Sequence, residues 1–159
     1  MNRVALLVVA IQGLVLFGGA NAPGLRAGAT AKVSIGARSV QARVEVAMTA
    51  SRGPLGESEY WGTGAGGGRL VRGVGVWINT IRVWMPRSAY ADLSNVDSVR
   101  IAVVDEALAI DLVGGNGGDH YTCHYVVMGG QLRSRHVGSR SFDAFEETKY
   151  VWPSPDEDD

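Results

Sequence analysis

Three histidines and one cysteine are the residues of this chain best suited to metal binding or nucleophilic chemistry. His120, Cys123 and His124 stand close together in the sequence. On an extended strand, however, His120 and His124 share one face and Cys123 points to the other. At roughly 3.3 Å per residue, their Cα atoms are about 13 Å apart. Two Zn–N bonds of about 2.1 Å do not close that gap without a bulge. A c-type haem site needs a second cysteine, which the chain lacks. These residues therefore imply no metal and no cofactor.

Cys123 has a second possible partner. In a hairpin closing on Gly129-Gly130, it faces His136, and an imidazole in that position can activate a thiol. Tyr121, Tyr125 and Val127 surround the pair with apolar surface, which raises a thiol pKa instead of lowering it. A packed core pair is the expectation. Gly114-Gly115-Asn116-Gly117-Gly118-Asp119-His120-Tyr121-Thr122 fits the calcium nonapeptide G-G-x-G-x-D-x-U-x, with Tyr121 as the large residue. A single copy provides half a cage, so a glycine-rich hairpin loop, with Asp119 bonding its own backbone, is the simpler expectation. Gly62-Thr63-Gly64-Ala65-Gly66-Gly67 satisfies G-x-G-x-x-G, yet Arg69 onward reads as strand where dinucleotide binding needs a helix. No Gly-Lys-Ser/Thr follows to make a P-loop.

Two groups of surface candidates survive this sifting. Trp77, Arg82 and Trp84 form an aromatic–cationic set on one hairpin, able to anchor a protein or stack on a sugar. His124, Arg133 and Arg135 form a basic set on another, able to hold a carboxylate or phosphate. Burial under a second sheet is the alternative for the tryptophans, and an ordinary solvated sheet face is the alternative for the arginines.

Positioning these residues falls to a modest chain of 159 residues and 16.8 kDa, 46% hydrophobic and 19% charged, with 22 glycines. That length supports one core without disulfide staples. A net charge of -1 gives no nucleic-acid footprint. A lone cysteine excludes an internal disulfide framework and every multi-cysteine metal site. The chain opens with Arg3, an apolar run over 4–17 interrupted by Gln12 and Gly13, and small residues at Gly18-Gly19-Ala20 and Ala20-Asn21-Ala22. This pattern predicts a signal peptide over 1–20, cut after Ala20 or Ala22, with Ala20 preferred because Pro23 follows Ala22 too closely. The 14-residue run is shorter than the ~20 residues of a spanning helix, so no transmembrane segment is expected once the leader is gone. Export to the periplasm or beyond the cell follows. At the other end, 153–159 has two prolines, four acids and nothing to bury, which predicts a disordered acidic tail. Between them, 23–152 reads as a single β domain.

The hydrophobic period there is two, not 3.6. Flanking Asp105-Glu106, Val99 faces Leu112, Ile101 faces Ile110 and Val103 faces Leu108, with Arg100 opposite Asp111 and Ala102 opposite Ala109 on the reverse. Asp-Glu is a poor two-residue turn, so a longer loop in the same register is also compatible. Across Gly129-Gly130, Val127 faces Leu132, Tyr125 faces Ser134 and Cys123 faces His136, which leaves His124, Arg133 and Arg135 on the other side. A third hairpin closes on Asn79-Thr80 and pairs Ile78 with Ile81 and Val76 with Val83, with Trp84 opposite Gly75 on its reverse face. A phase flip over 36–39 marks a turn or bulge between Val33-Ser34-Ile35 and Val40 onward. Residues 51–69 read as a long mobile loop, 87–93 as a short helix after Pro86, and 146–152 as a last strand. The prediction is all-β: a mainly antiparallel meander forming a sandwich or curved half-barrel, with one short helix near 87–93.

Met85-Pro86-Arg87-Ser88-Ala89-Tyr90-Ala91-Asp92-Leu93, then Gly117-Gly118-Asp119 before Tyr121 and Glu147-Thr148 before Tyr150, resembles a group of short exported bacterial proteins of unknown function. Those proteins carry a V-P-R-S-A-[YF]-A-D-L core after an I-N-G-like turn. The likeness covers 78–150, with Met85 in place of valine and Asn79-Thr80-Ile81 at the turn. It implies a bacterial origin and the same hairpin layout, and no activity. The expected function is that of an exported, non-catalytic binding or envelope-accessory module whose partner is a protein or a carbohydrate. The alternatives are a small hydrolase using carboxylates such as Asp119 or Asp143, and a structural subunit that pairs through a sheet edge.

Overall fold

A computed structural model describes residues 11–12, 25–50, 60–62, 68–116, 118–139 and 144–151. Ten strands follow in chain order: β1 (Ile11–Gln12), β2 (Leu25–Ile35), β3 (Arg38–Ala50), β4 (Arg69–Ile78), β5 (Ile81–Val83), β6 (Val96–Val104), β7 (Ala107–Asn116), β8 (Asp119–Met128), β9 (Gln131–Ser139) and β10 (Ala144–Lys149). They form two sheets, one ordered β1-β6-β7-β8-β9-β10 and one ordered β2-β3-β4-β5, with every named pair antiparallel. The inner faces enclose one core, with Val44, Val46 and Val76 from the smaller sheet and Ile101, Ile110, Leu112 and Leu132 from the larger. β2 runs against β6 where the sheets adjoin. The all-β expectation therefore holds, and the short helix reduces to a single 3-10 turn over Arg87–Ala89. No helix among the described residues is long and apolar enough to cross a membrane.

Side-chain alternation explains most of the pairing. β6 and β7 meet in the register read from their two apolar rows, with Val99 against Leu112, Ile101 against Ile110 and Arg100 against Asp111. Their turn is the two-residue one: Asp105 and Glu106 take φ of 47° and 65°, the left-handed pair such a hairpin requires. β2 and β3 turn at Gly36-Ala37, which accounts for the phase flip, and β4 and β5 turn at Asn79-Thr80 with Ile78 against Ile81. β5 stops at Val83, so Trp84 lies past its end and is not a ladder partner of Gly75. The last strand begins and ends earlier than its apolar pattern suggested. Of the expected long loop, 51–59 and 63–67 lie outside the described residues, as do the acidic tail and all of the leader except Ile11 and Gln12, which pair with β6.

The β8–β9 hairpin corrects the sequence reading. It starts as expected at Gly129-Gly130, and Val127 faces Leu132, but the next pair is Val126 with Ser134. Arg133 is thus an extra residue on β9, a bulge that shifts everything beyond it by one. Tyr125 then faces Arg135, Cys123 faces Val137, and His124 faces His136. A one-residue slip exchanges the two faces of a strand. Arg135 is therefore turned into the core, 1% exposed, and His136 is turned out of it.

The buried Arg135 finds its partners on the segment joining the sheets. Residues 84–95 run from β5 to β6 across the core face of β8 and β9. Three side chains pin this strap. Arg135 Nη2 donates to Asp92 Oδ2 at 2.5 Å, and its Nη1 donates to Glu146 Oε1 of β10 at 2.8 Å. Tyr125 donates its hydroxyl hydrogen to the Ala89 carbonyl at 2.6 Å, and Tyr121 donates to that of Ser94 at 2.7 Å. The strap has few ladder bonds of its own, so its carbonyls take donors from the sheet beneath. Asn95 completes the attachment: its backbone N–H donates to the Arg69 carbonyl and its side chain donates to that of Gly62. Arg135→Ala removes a buried guanidinium from two carboxylates that are themselves about one-third and one-half exposed, and losing such charge-assisted hydrogen bonds costs about 1.5–3 kcal/mol. Urea denaturation of Arg135→Ala should show a loss of that order, and a loss below about 1 kcal/mol would mean that the two ion pairs do not hold the strap.

Candidate functional site

The six residues singled out from sequence are divided between different places. Trp77, Arg82 and Trp84 belong to the β4–β5 end of the smaller sheet, and His124, Arg133 and Arg135 to the larger one. Since the inner faces share one core, the two groups do not form one surface. Arg135 leaves its group altogether for the buried lock described above. Arg133 is exposed at the bulge, and His124 stays on the outer face, half-buried. The expected Cys123–His136 pair does not form. Cys123 is buried and without a disulfide, and burial pushes its thiol up to about 12, so it carries no thiolate near neutral pH. Asp143 and the side chain of Asp119 lie outside the described residues.

On the smaller sheet, a row of side chains crosses the outer face. Arg43 of β3 stands opposite Trp77 of β4, which stands opposite Arg82 of β5. The Trp77 ring folds back over Gly75, where a Cβ would come within 2.3 Å of Trp77 Cη2, so only glycine admits it. The guanidinium carbon of Arg43 lies 4.1 Å from the Trp77 ring centre, and that of Arg82 lies 5.7 Å away. Both are within cation–π range. Arg43 also pairs with Glu45 at 3.2 Å. Past the end of β5, Trp84 is 62% exposed, and Ile81, which alternates onto the face of Val76 and Val83, is 72% exposed at the hairpin tip. The half-buried Trp77 thus braces two arginines, and the hairpin presents the solvent with an indole and an isobutyl-sized aliphatic group. Arg43 escaped the sequence reading because residues 51–68 separate β3 from β4 and no local pattern shows their register.

The larger sheet carries a second row. Arg100, Asp111, His124, His136 and Glu147 are successive cross-strand partners on β6, β7, β8, β9 and β10. His124 Nδ1 and Asp111 Oδ1 are 2.6 Å apart, the His124 and His136 rings meet edge to face with centres 6.3 Å apart, and His136 Nε2 lies 3.6 Å from Glu147 Oε1. The Asp111 hydrogen bond raises the His124 pKa, and the partial burial that opposes it is the smaller effect. Only the Arg100–Asp111 step of this row was legible in sequence. The bulge at Arg133 sets the His124–His136 step, and the Asp111–His124 step follows from the β7–β8 register. His120 is exposed and has no place in it. Among the described residues, no three or more His, Cys, Asp or Glu side chains gather into a group able to hold a metal ion.

Compared with known proteins, the chain matches no protein-family model, no curated protein and no solved structure.

Because the folded His124 pKa is raised, its pairing with Asp111 contributes full stability below the unfolded value of about 6.5 and loses it as pH rises through the folded value. Asp111→Asn should therefore lower the His124 pKa in an NMR titration. Its penalty in thermal melts should be larger near about pH 6 than near about pH 8.5. An unchanged titration, or an equal penalty at both pH values, would contradict the assignment.

Proposed function

We propose that this chain is an exported, non-catalytic β domain that works as a binding module, and that the outer face of the β4–β5 hairpin is its docking surface. The leader pattern over 1–20 supports export. The observation that carries the binding reading is the stack of Arg43, Trp77 and Arg82 on this face, on a hairpin that also exposes Trp84 just past β5. Large apolar side chains at a hairpin tip gain nothing from water. A monomer tolerates one singly, but an exposed tryptophan on the hairpin that carries two fixed arginines has the make-up of an interface hot spot, in which tryptophan and arginine are over-represented.

The chemistry favours a protein partner over a sugar. A sugar ring stacks best on paired open aromatic faces, and Arg43 stands over the one that Trp77 offers, which leaves Trp84 alone. An acidic segment bearing one apolar side chain answers these groups together: carboxylates for Arg43 and Arg82, and a hydrophobic contact for Trp84. The bracing of the arginines by Trp77 lowers the entropy lost on binding.

Two measurements test this. The exported protein should begin at Asn21 or Pro23 by mass spectrometry, and an intact Met1 in the exported fraction would overturn the leader assignment. In calorimetry, a synthetic glutamate-rich peptide with one phenylalanine should bind, more weakly as salt rises. Trp84→Ala and Arg82→Ala should each cost about tenfold or more in affinity. Absence of binding, or binding indifferent to both substitutions, would refute the docking surface, as would an oligosaccharide that binds where the peptide does not.

A further inference from the structure

We infer that His124 and His136 together form a surface binding site for a borderline transition-metal ion, zinc or copper(II), with water completing the coordination. The two residues are direct cross-strand partners in the antiparallel β8–β9 pair. Such partners have Cβ atoms about 4.5–5.5 Å apart. Two imidazoles sharing one ion through bonds of about 2.0–2.1 Å have ring centres about 5–6.5 Å apart. The observed separation is 6.3 Å, so small side-chain rotations are enough to bring a nitrogen from each ring to one point. This geometry differs from that of His120 and His124, which are spread along one strand.

The surroundings of the pair strengthen the assignment. Asp111 engages Nδ1 of His124 at 2.6 Å, which fixes the tautomer that presents Nε2 as the ligand nitrogen and makes it more basic. Glu147 lies on the far side of His136, toward β10, 3.6 Å from Nε2. A carboxylate hydrogen-bonded behind the imidazole, as Asp111 is behind His124, is the usual outer support of a histidine metal ligand, and Glu147 adds a second negative charge that favours a cation. Arg100 and Lys149 lie farther out: Arg100 is one strand beyond Asp111, and Lys149 is 3.6 Å from Glu147. Both histidines are roughly one-third exposed, which leaves room for water ligands. Two protein nitrogens make a modest site, below the three or more ligands of a closed one.

The ligand type dictates the selectivity. Imidazole suits zinc and copper(II), whereas magnesium and calcium prefer oxygen. The test uses the full chain without a histidine tag, titrated with zinc chloride in a non-chelating buffer. One equivalent should bind, copper(II) should bind more tightly, and magnesium should not compete. In NMR spectra of the unsubstituted protein, zinc should shift the ring signals of His124 and His136 and leave those of His120 in place, a readout that needs no variant to fold. His124→Gln and His136→Gln should each weaken zinc binding at least about tenfold, and Asp111→Asn by about tenfold. No binding at millimolar zinc would overturn the inference. So would zinc shifts centred on His120, or an affinity unchanged in both glutamine variants, which would place the ion on the acidic tail. Because the site is on the larger sheet, none of these outcomes depends on the docking surface proposed for the β4–β5 hairpin.

Discussion

A guanidinium inside a β-sandwich is costly unless carboxylates meet it, and Arg135 is met by two. Burial works against its charge, and the Asp92 carboxylate hydrogen-bonded to it more than offsets that. Asp92 comes from the strap and Glu146 from β10, so one buried cation joins the connection between the two sheets to the last strand of the larger one. Tyr121 and Tyr125, with burial pushing their hydroxyls well above the usual phenol range, stay protonated and act as donors to the same strap. The strap cannot move from the sheet without taking one of the two carboxylates from that cation and the acceptors from those hydroxyls. This accounts physically for the Asp92 position in a segment that otherwise looks like an ordinary loop.

The bulge at Arg133 makes this arrangement possible, and it acts on both faces of the sheet. With β9 in simple register from Gly129-Gly130, Arg135 would lie in solvent and His136 against Cys123. One extra residue turns Arg135 inward to meet Asp92 and turns His136 outward to meet His124. β10 serves both results through the same alternation: Glu146 supports the buried arginine and the adjacent Glu147 faces the outer histidine. The core lock and the polar row are therefore two consequences of one local irregularity. A bulge is also a cheap place for it, since the strand ladder resumes within a residue on either side.

The two outer faces have different characters. On the smaller sheet, aromatic and cationic side chains support each other beside exposed apolar groups, and the local charge is positive. On the larger sheet, two imidazoles stand between two carboxylates, and the polar groups largely satisfy one another. The first is suited to meeting a partner, and the second to holding a small cation. Cys123, the chain's one cysteine, is sealed in the core with its thiol protonated.

Much of this was legible from residue order alone, because a half-buried strand writes its register into the alternation of its side chains. The β6–β7 hairpin is the plainest case: two apolar rows and a matched Arg100–Asp111 pair admit one alignment, and the chain accepts left-handed Asp105 and Glu106 to keep it. The sequence by itself determined the all-β class, the hairpin turns and which aliphatics form the core. Tertiary structure alone decided the placement of Arg43 over Trp77, the inward turn of Arg135 and the meeting of His124 with His136. Each of these depends on contacts between segments far apart in the chain, or on a bulge stabilised by a distant carboxylate, and neither leaves a mark in the local pattern of hydrophobicity.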